Sequence, residues 1–320
     1  MLFQRITQGM ADQFKWLYPV IVFWGALCSI LLAGEWPQFR GPDGQGHSSA
    51  SGLPTNWDET RNIIWKVRIP GKGFSSPVIS GNQIWITTAL EQGRSLRAIC
   101  VNRENGQLLH NVEVFNLNEA GPRHHKNSFS SPTPVLEGGY VYVHFGNKGT
   151  ACLLDNGEVV WKMSDLDFRL PHGGASSPVL FENLLILTCD GTDTQFTVAL
   201  DKSNGEVVWR NRRQHLDETG SKDELEPNAR GGFRLMSYST PLVIDVKGVP
   251  QLVSTGANYV ASYHARTGKE IWWYSYNGFS QAARPVYAHG LVFVIGFERG
   301  SHPTFYAIQP DTRGRITTEQ

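Results

Sequence analysis

No sign of charge prevails in this sequence. Lys and Arg together number 29, Asp and Glu number 29, and charged residues make up only 18%. A zero balance removes the electrostatic reason to expect a nucleic-acid partner. Cysteine is scarce, with 4 in 320 residues. Cys28 lies in an apolar run, and Cys100, Cys152 and Cys189 have no short spacing. That excludes a metal knuckle and a disulfide framework, so the three read as small buried side chains on strands. Catalytic signatures are missing too. There is no nucleophile elbow, phosphate loop or zincin motif, so kinase or hydrolase chemistry has no residues to rest on.

What the chain does have is turns. Gly 33 and Pro 17 accompany 40% hydrophobic residues, which fits many short strands in a globular chain. At the N-terminus Arg5 and Lys15 precede an uncharged apolar run from Trp16 to Ala33. A positive start, an apolar middle and small residues at its end are the parts of a secretory signal. A run of that length also suits a membrane anchor, and residues 1–34 are open between the two. Either one predicts an extracytoplasmic protein, periplasmic or secreted. Residues 35–60 follow as an N-terminal extended segment.

From residue 61 the chain repeats. A proline follows small residues at Ser75-Ser76-Pro77, Pro132-Thr133-Pro134, Ser176-Ser177-Pro178, Ser239-Thr240-Pro241 and Ala283-Arg284-Pro285, at intervals of 57, 44, 63 and 44 residues. A second apolar strand begins at the seventh residue after most of these prolines, as in Ile84-Trp85-Ile86 and Val141-Tyr142-Val143. A third opens on Ala98, Ala151, Ala199, Ala261 or Ala307. Turn glycines follow at Gly106, Gly157, Gly205, Gly268 and Gly314. Four residues beyond the glycine stands Trp161, Trp209 or Trp272, with His110 in that slot in the first unit and Thr318 in the last.

Each unit therefore reads as strand, turn, strand, loop, strand, tight turn, strand. Four antiparallel strands in about 44 residues make one propeller blade, and blades bury their faces only by stacking. The predicted fold is an all-β propeller of four-stranded blades over 61–320. The recurring Trp is assigned to the blade-to-blade seam, because a ligand platform would not need a copy in every unit.

Trp65, in Ile63-Ile64-Trp65-Lys66-Val67, has the fourth-strand pattern with no first three strands before it. It looks like a ring-closing strand. Only five units fit before Gln320, and a fourth strand for the fifth would begin near Arg315. Either the ring closes at five, or the units form an open arc. The polar Thr317-Thr318-Glu319-Gln320 gives no finished edge and favours the arc.

The run Ala199-Leu200-Asp201-Lys202-Ser203-Asn204-Gly205-Glu206-Val207-Val208-Trp209 resembles the PQQ-like (quinoprotein-type) propeller repeat, and the likeness covers about residues 61 to 314. Trp36-Pro37-Gln38-Phe39-Arg40-Gly41-Pro42-Asp43-Gly44 and Arg123-His124-His125-Lys126-Asn127-Ser128 are similar to segments of exported planctomycete-type members. The resemblance implies a ring of eight blades, of which about five are present here. It also implies one of two functional settings. One is a quinoprotein alcohol or sugar dehydrogenase holding PQQ and calcium in its funnel. The other is the non-catalytic propeller lipoprotein of outer-membrane protein assembly. The chain has no adjacent Cys pair and no recognisable calcium set, and it is short for a dehydrogenase. The expectation is a binding scaffold with no cofactor, with the quinoprotein and an inactive fragment of a longer propeller as alternatives.

Loops before the innermost strands form one mouth of the channel. They carry Lys72, Arg123, His124, His125, Lys126, Asn127, His172 and Arg230, interleaved with glycine. Convergent polar groups at a channel mouth are ligand-site candidates, for a protein partner or a small molecule. The two adjacent histidines and His172 lack metal-ligand spacing and a carboxylate cluster, so no metal is assigned. The acidic stretch from Asp217 to Glu226 reads as a solvated loop.

Overall fold

The computed structural model describes residues 34–215, 235–276, 278, 280–296 and 302–317. The apolar run 16–33, the acidic stretch 217–226 and Arg230 lie outside the described residues. Among the described residues no helix is long and apolar enough to cross a membrane.

Five antiparallel sheets follow one another along the chain. Blade 1 is β1 (Val78–Ser80), β2 (Gln83–Leu90), β3 (Ser95–Asn102) and β4 (Leu108–Asn116). Blade 2 is β5 (Val135–Glu137), β6 (Tyr140–His144), β7 (Thr150–Leu154) and β8 (Val159–Met163). Blade 3 is β9 (Val179–Phe181), β10 (Leu184–Asp190), β11 (Gln195–Asp201) and β12 (Val207–Arg212). Blade 4 is β13 (Leu242–Val246), β14 (Val249–Thr255), β15 (Tyr259–His264) and β16 (Glu270–Ser275). Blade 5 has β17 (Val286–Ala288), β18 (Leu291–Gly296) and β19 (Thr304–Ile308). In blade 1 the ladder runs Val78 opposite Trp85, Trp85 opposite Cys100 and Cys100 opposite His110.

Burial explains the composition of each strand. The middle strands are covered on both faces by neighbouring blades, so β10 is buried at all seven positions and reads Leu-Leu-Ile-Leu-Thr-Cys-Asp. The outer strands face solvent, and β12 has exposed Val207 and Val208 beside buried Trp209. Four apolar clusters fill the four seams. The first, for example, joins Val78, Trp85 and Ala98 of blade 1 to Val141, Val143 and Leu153 of blade 2. Cys100, Cys152 and Cys189 are all buried on strands, and burial pushes the Cys100 thiol up to about 12 and the Cys152 thiol up to about 11.

One correction concerns the end of the chain. The expected fourth strand of the fifth unit does not join blade 5. Residues Gly314–Arg315 form β20, which pairs in parallel with β16 opposite Trp272 and Trp273. The edge of β16 is open there. The Arg315 guanidinium lies 5.1 Å from the Trp273 ring centroid, and Ile316 N–H donates to the Trp273 carbonyl at 2.8 Å. A cation on an indole face, plus ladder bonds, holds the segment on blade 4. Among the described residues blade 5 thus has three strands, and the blades form an arc that is not closed into a ring.

Two repeated contacts set the blade-to-blade spacing. At the outer end, each seam Trp lies over the turn glycine of the next blade. Trp161 donates from Nε1 to the Lys202 carbonyl at 3.0 Å, and Trp209 to the Ala265 carbonyl at 3.2 Å. Trp65 does the same toward blade 1, reaching the Arg103 carbonyl at 2.8 Å. Gly205 has φ +79°, and a Cβ there would sit 2.7 Å from the Trp161 ring. Only glycine allows both that conformation and that approach. Trp272 differs. Its Nε1 donates to Gln251 Oε1 at 3.0 Å, and Gln251 Nε2 passes the bond on to the Pro310 carbonyl of the fifth unit at 3.0 Å. In blade 1, where His110 replaces Trp, Trp85 and Gln83 form the same relay to the Asp155 carbonyl.

At the inner end, the residue before each proline is linked to its counterpart in the next blade. Ser76 N–H donates to Thr133 Oγ1, Thr133 N–H to Ser177 Oγ, and Ser177 N–H to Thr240 Oγ1, each at 3.0 Å. The fifth position is Arg284, which has no hydroxyl. Its guanidinium instead donates to the Pro241 carbonyl and to the carbonyls of Phe39 and Gly44.

Those last two carbonyls belong to an N-terminal strap. Trp36 exchanges two 2.9 Å backbone bonds with Ile79 of blade 1, and Pro37 accepts from Leu136 N–H of blade 2. Gln45 pairs with the Tyr287 backbone of blade 5 through both ends of its amide. Residues 36–46 therefore touch the innermost strands of blades 1, 2 and 5.

Candidate functional site

The mouth loops owe their positions to the strands they enter. Lys72 exchanges two 3.0 Å backbone bonds with Ala89 at the end of β2, and Phe74 N–H donates to the Ser130 carbonyl at 3.0 Å. These bonds hold residues 71–74 beside the loop 123–130. Between them opens a cavity of about 800 Å³, lined by Lys72, Glu91, Gln92, Arg123, His125, Asn127, Ser128 and Phe129 among others.

Four of the eight sequence candidates line this cavity: Lys72, Arg123, His125 and Asn127. Arg123 also shapes it, since Nη1 donates to the carbonyls of His124 and Asn127 at 3.2 and 2.9 Å. The guanidinium carbon is 5.3 Å from the Phe129 ring centroid. Lys126 is exposed, with its backbone N–H on His124 Nδ1 at 3.2 Å.

His124 and His172 sit on the other side of the same loop. The His124 ring is 4.3 Å from that of His125, tilted by 37°, and meets His172 edge-on at 5.1 Å. Asn127 Nδ2 donates to the His172 carbonyl at 2.9 Å, and His124 N–H donates to the same oxygen at 3.2 Å. His172 Nδ1 shares a 3.0 Å hydrogen bond with the Tyr238 hydroxyl. Burial, and secondarily the neighbouring His124, lower the His172 pKa, while burial pushes the Tyr238 phenol up to about 12. The pair is neutral at physiological pH. The bond ties the loop at His172 to Tyr238, just before blade 4.

Sequence reasoning missed Glu91, Gln92, Phe129 and Tyr238. The 3-10 turn at Glu91–Gly93 holds Gln92 at φ +59°, and no spacing announces that. Phe129 stands in the motif Asn127-Ser128-Phe129, where it read as part of the loop.

A second polar cluster lies deeper, at the mouth end of blades 3 and 4. Arg213 and Asp190 are wholly buried and joined by two 2.7 Å bonds. Arg213 Nη2 also donates to Ser254 Oγ at 2.9 Å. Burial works against the Arg213 charge, but Asp190, Tyr259 and Tyr263 together outweigh it and hold the guanidinium pKa well above its ordinary value. His144 is buried nearby, bonded to Thr150 Oγ1 at 2.8 Å, and burial lowers its pKa to about 4. The adjoining cavity holds only about 10 Å³, too small for a ligand. This cluster is part of the packing.

Four-stranded sheets in sequence, a seam Trp over a turn glycine, and an axial strap define an open arc of the PQQ-like propeller class. The family model described as outer membrane protein assembly factor BamB matches residues 48–169 and 193–315, and the chain belongs to that family. No curated protein sequence matches the chain. Among solved structures it is similar to BamB from Moraxella catarrhalis, with TM-score 0.55 and 16% identity, over 79% of this chain and 66% of that one. It is also similar to a europium-containing methanol dehydrogenase, with TM-score 0.61 and 11% identity over 89% of this chain and 58% of that one. A third likeness is to the quinohemoprotein alcohol dehydrogenase from Comamonas testosteroni, with TM-score 0.59 and 12% identity over 88% of this chain and 48% of that one. The chain thus spans roughly half to two thirds of these structures. At such identities the likeness is one of fold.

The dehydrogenase neighbours raise the question of a quinone with calcium. Residues 36–46 bridge the innermost strands of blades 1, 2 and 5 through Ile79, Leu136 and Tyr287, and also bond to Arg284. Among the described residues no group of three His, Cys, Asp or Glu side chains is placed to hold a metal ion.

Proposed function

We propose that this chain is a non-catalytic, extracytoplasmic binding scaffold that engages a protein partner at its channel mouth. The observation that carries this reading is the cavity of about 800 Å³ between the loops 71–74 and 123–130. Its rim combines exposed basic heads on Lys72 and Arg123 with apolar area on Phe129, and Phe74, 63% exposed, follows in the loop that carries Lys72. A mixed polar and aromatic rim suits a protein surface. One further fact supports the reading: the family is described by an assembly factor. The BamB relative and the signal-like or anchor-like N-terminus agree with a place outside the cytoplasm.

Site-specific photo-crosslinking in the native host tests it. A crosslinker at Lys72 or His125 is expected to give a discrete protein adduct that one at Val207, on the outer rim, does not. Equal labelling at both places would count against a mouth partner. Incubation with PQQ and Ca²⁺ is expected to leave no quinone absorbance on the protein. Retained absorbance together with dye-linked alcohol oxidation would overturn the non-catalytic reading.

A further inference from the structure

The mouth cavity holds more positive charge than its own loops use. Lys72, Arg123 and His125 line it, and Lys126 stands exposed beside them. Among the described residues no carboxylate pairs with Lys72, Arg123 or Lys126. Glu91, the one acidic side chain among the described lining residues, already has a partner in Arg94 at 3.3 Å. Arg123 uses only Nη1 on its own loop, for the carbonyls of His124 and Asn127. Its Nε–Nη2 edge, the one that can take a carboxylate through two parallel bonds, makes no hydrogen bond among the described residues. The walls around these charges are fixed by close backbone packing. A Cβ at Gly71 or Gly73 would run into the Ala89 or Thr87 carbonyl of β2, and one at Gly93 into the Phe129 ring. Glu91, Gln92 and Gly93 are successive left-handed residues, with φ of +49°, +59° and +101°. Two of them carry side chains, and backbone strain of that kind gathers at ligand clamps. Phe129 is thus seated on this turn, with the Arg123 guanidinium carbon 5.3 Å from its ring centroid.

We infer that the cavity receives an acidic segment of a protein partner, with carboxylates on Arg123 and Lys72 and an apolar side chain on Phe129. This rests on the reading of the mouth as a protein-binding surface and adds the chemistry of what binds there. One carboxylate meets the Arg123 fork, and a second meets the Lys72 ammonium. The aromatic face sets the site apart from a bare phosphate cradle, since an inorganic anion would leave Phe129 uncovered. The volume of about 800 Å³ is that of a ligand site, with room for several side chains. Lys and Arg balance Asp and Glu over the whole chain, so the positive charge is a local property of the mouth. Such a patch draws in a partner of opposite sign and rejects one of like sign.

Fluorescence anisotropy on the full chain tests this with a labelled Glu-rich peptide that carries Phe, and with its counterpart in which Gln replaces every Glu. The Glu peptide is expected to bind about tenfold or more tightly than the Gln peptide, and to weaken as salt rises. Lys72→Glu should weaken it by about tenfold or more, and Lys72→Gln by less. The Lys72 side chain makes no hydrogen bond among the described residues, so the urea midpoint should not move in either variant. Lys269→Glu makes the same charge change at an exposed turn of blade 4 and should alter binding by less than about twofold. Equal affinity for the two peptides, or equal losses in Lys72→Glu and Lys269→Glu, would overturn the inference. Displacement of the peptide by inorganic phosphate or oligothymidylate at matching concentration would also overturn it, as the mark of an unselective anion site. Crosslinking separates this inference from the broader reading. A protein adduct formed at His125 is expected to disappear in Lys72→Glu. An adduct retained there at full yield would overturn the acidic partner and leave a mouth partner standing.

Discussion

Gly205 and Trp161 show how one residue fixes a seam. The glycine accepts a left-handed conformation, and its missing Cβ leaves room for an indole from the preceding blade. Gly205→Ala combines strain with a clash and should destabilise the chain by about 2–4 kcal/mol, measured as a shift in urea midpoint. Trp161→Ala removes the indole and should cost about 3–5 kcal/mol in the same assay. The buried pair behaves differently. Asp190→Asn leaves Arg213 charged and under-paired, with an expected loss of about 3–5 kcal/mol, whereas replacing both partners with apolar residues should recover much of it. The Trp slot and the turn glycines were legible in the sequence because they recur. Asp190 and Arg213 were not, because each occurs once and an isolated charge in a sequence reads as a surface residue.

At the scale of the strand, the repeat predicted order and pairing correctly for four blades and misplaced the last strand. The error has a physical source. A two-residue segment carries almost no periodicity, and the Arg315 guanidinium lies against the Trp273 ring of blade 4. The Ser and Thr before each proline were visible as an alignment mark, but their hydroxyls as links between blades were not, since the partner lies 44 to 63 residues away. Thr133→Val should therefore cost about 1–3 kcal/mol, because it leaves the Ser76 N–H without its acceptor. β6 adds a pH effect. His144 is buried neutral, with a folded pKa of about 4 against an ordinary 6.5. Below pH 6.5 the unfolded chain takes up a proton that the folded one refuses, so stability falls from pH 6.5 toward 4 and then levels. The expected share is on the order of 2–4 kcal/mol. Urea midpoints at pH 7 and 4.5 for the native chain and His144→Asn check it. The variant should show the smaller drop.

For the whole molecule, exposed ion pairs between blades, such as Arg266 with Glu182 and Lys247 with Asp311, contribute little each. The four apolar seams and the axial bonds carry the arc. The mouth was half legible. Its loops were found from the position of the innermost strands, but the cavity needed Glu91 to Gly93, which come from a different connection of blade 1. Arg284→Gln should loosen the strap without unfolding the seams. Limited proteolysis within residues 36–46 is expected to speed up about tenfold or more, with little change in the urea midpoint.

The strap also sets a sequence of events in time. Gln45 waits for Tyr287, and the Phe39 and Gly44 carbonyls wait for Arg284, partners about 240 residues later in the chain. Blades can form one after another as the chain emerges, each from local contacts. The strap cannot settle until the fifth sheet exists, so it is the slow, long-range step. Until then Trp36 and Pro37 can pair with blades 1 and 2, while Phe39, Gly44 and Gln45 lack their blade 5 partners. Protection of that segment from hydrogen exchange is therefore a clock for the completed arc.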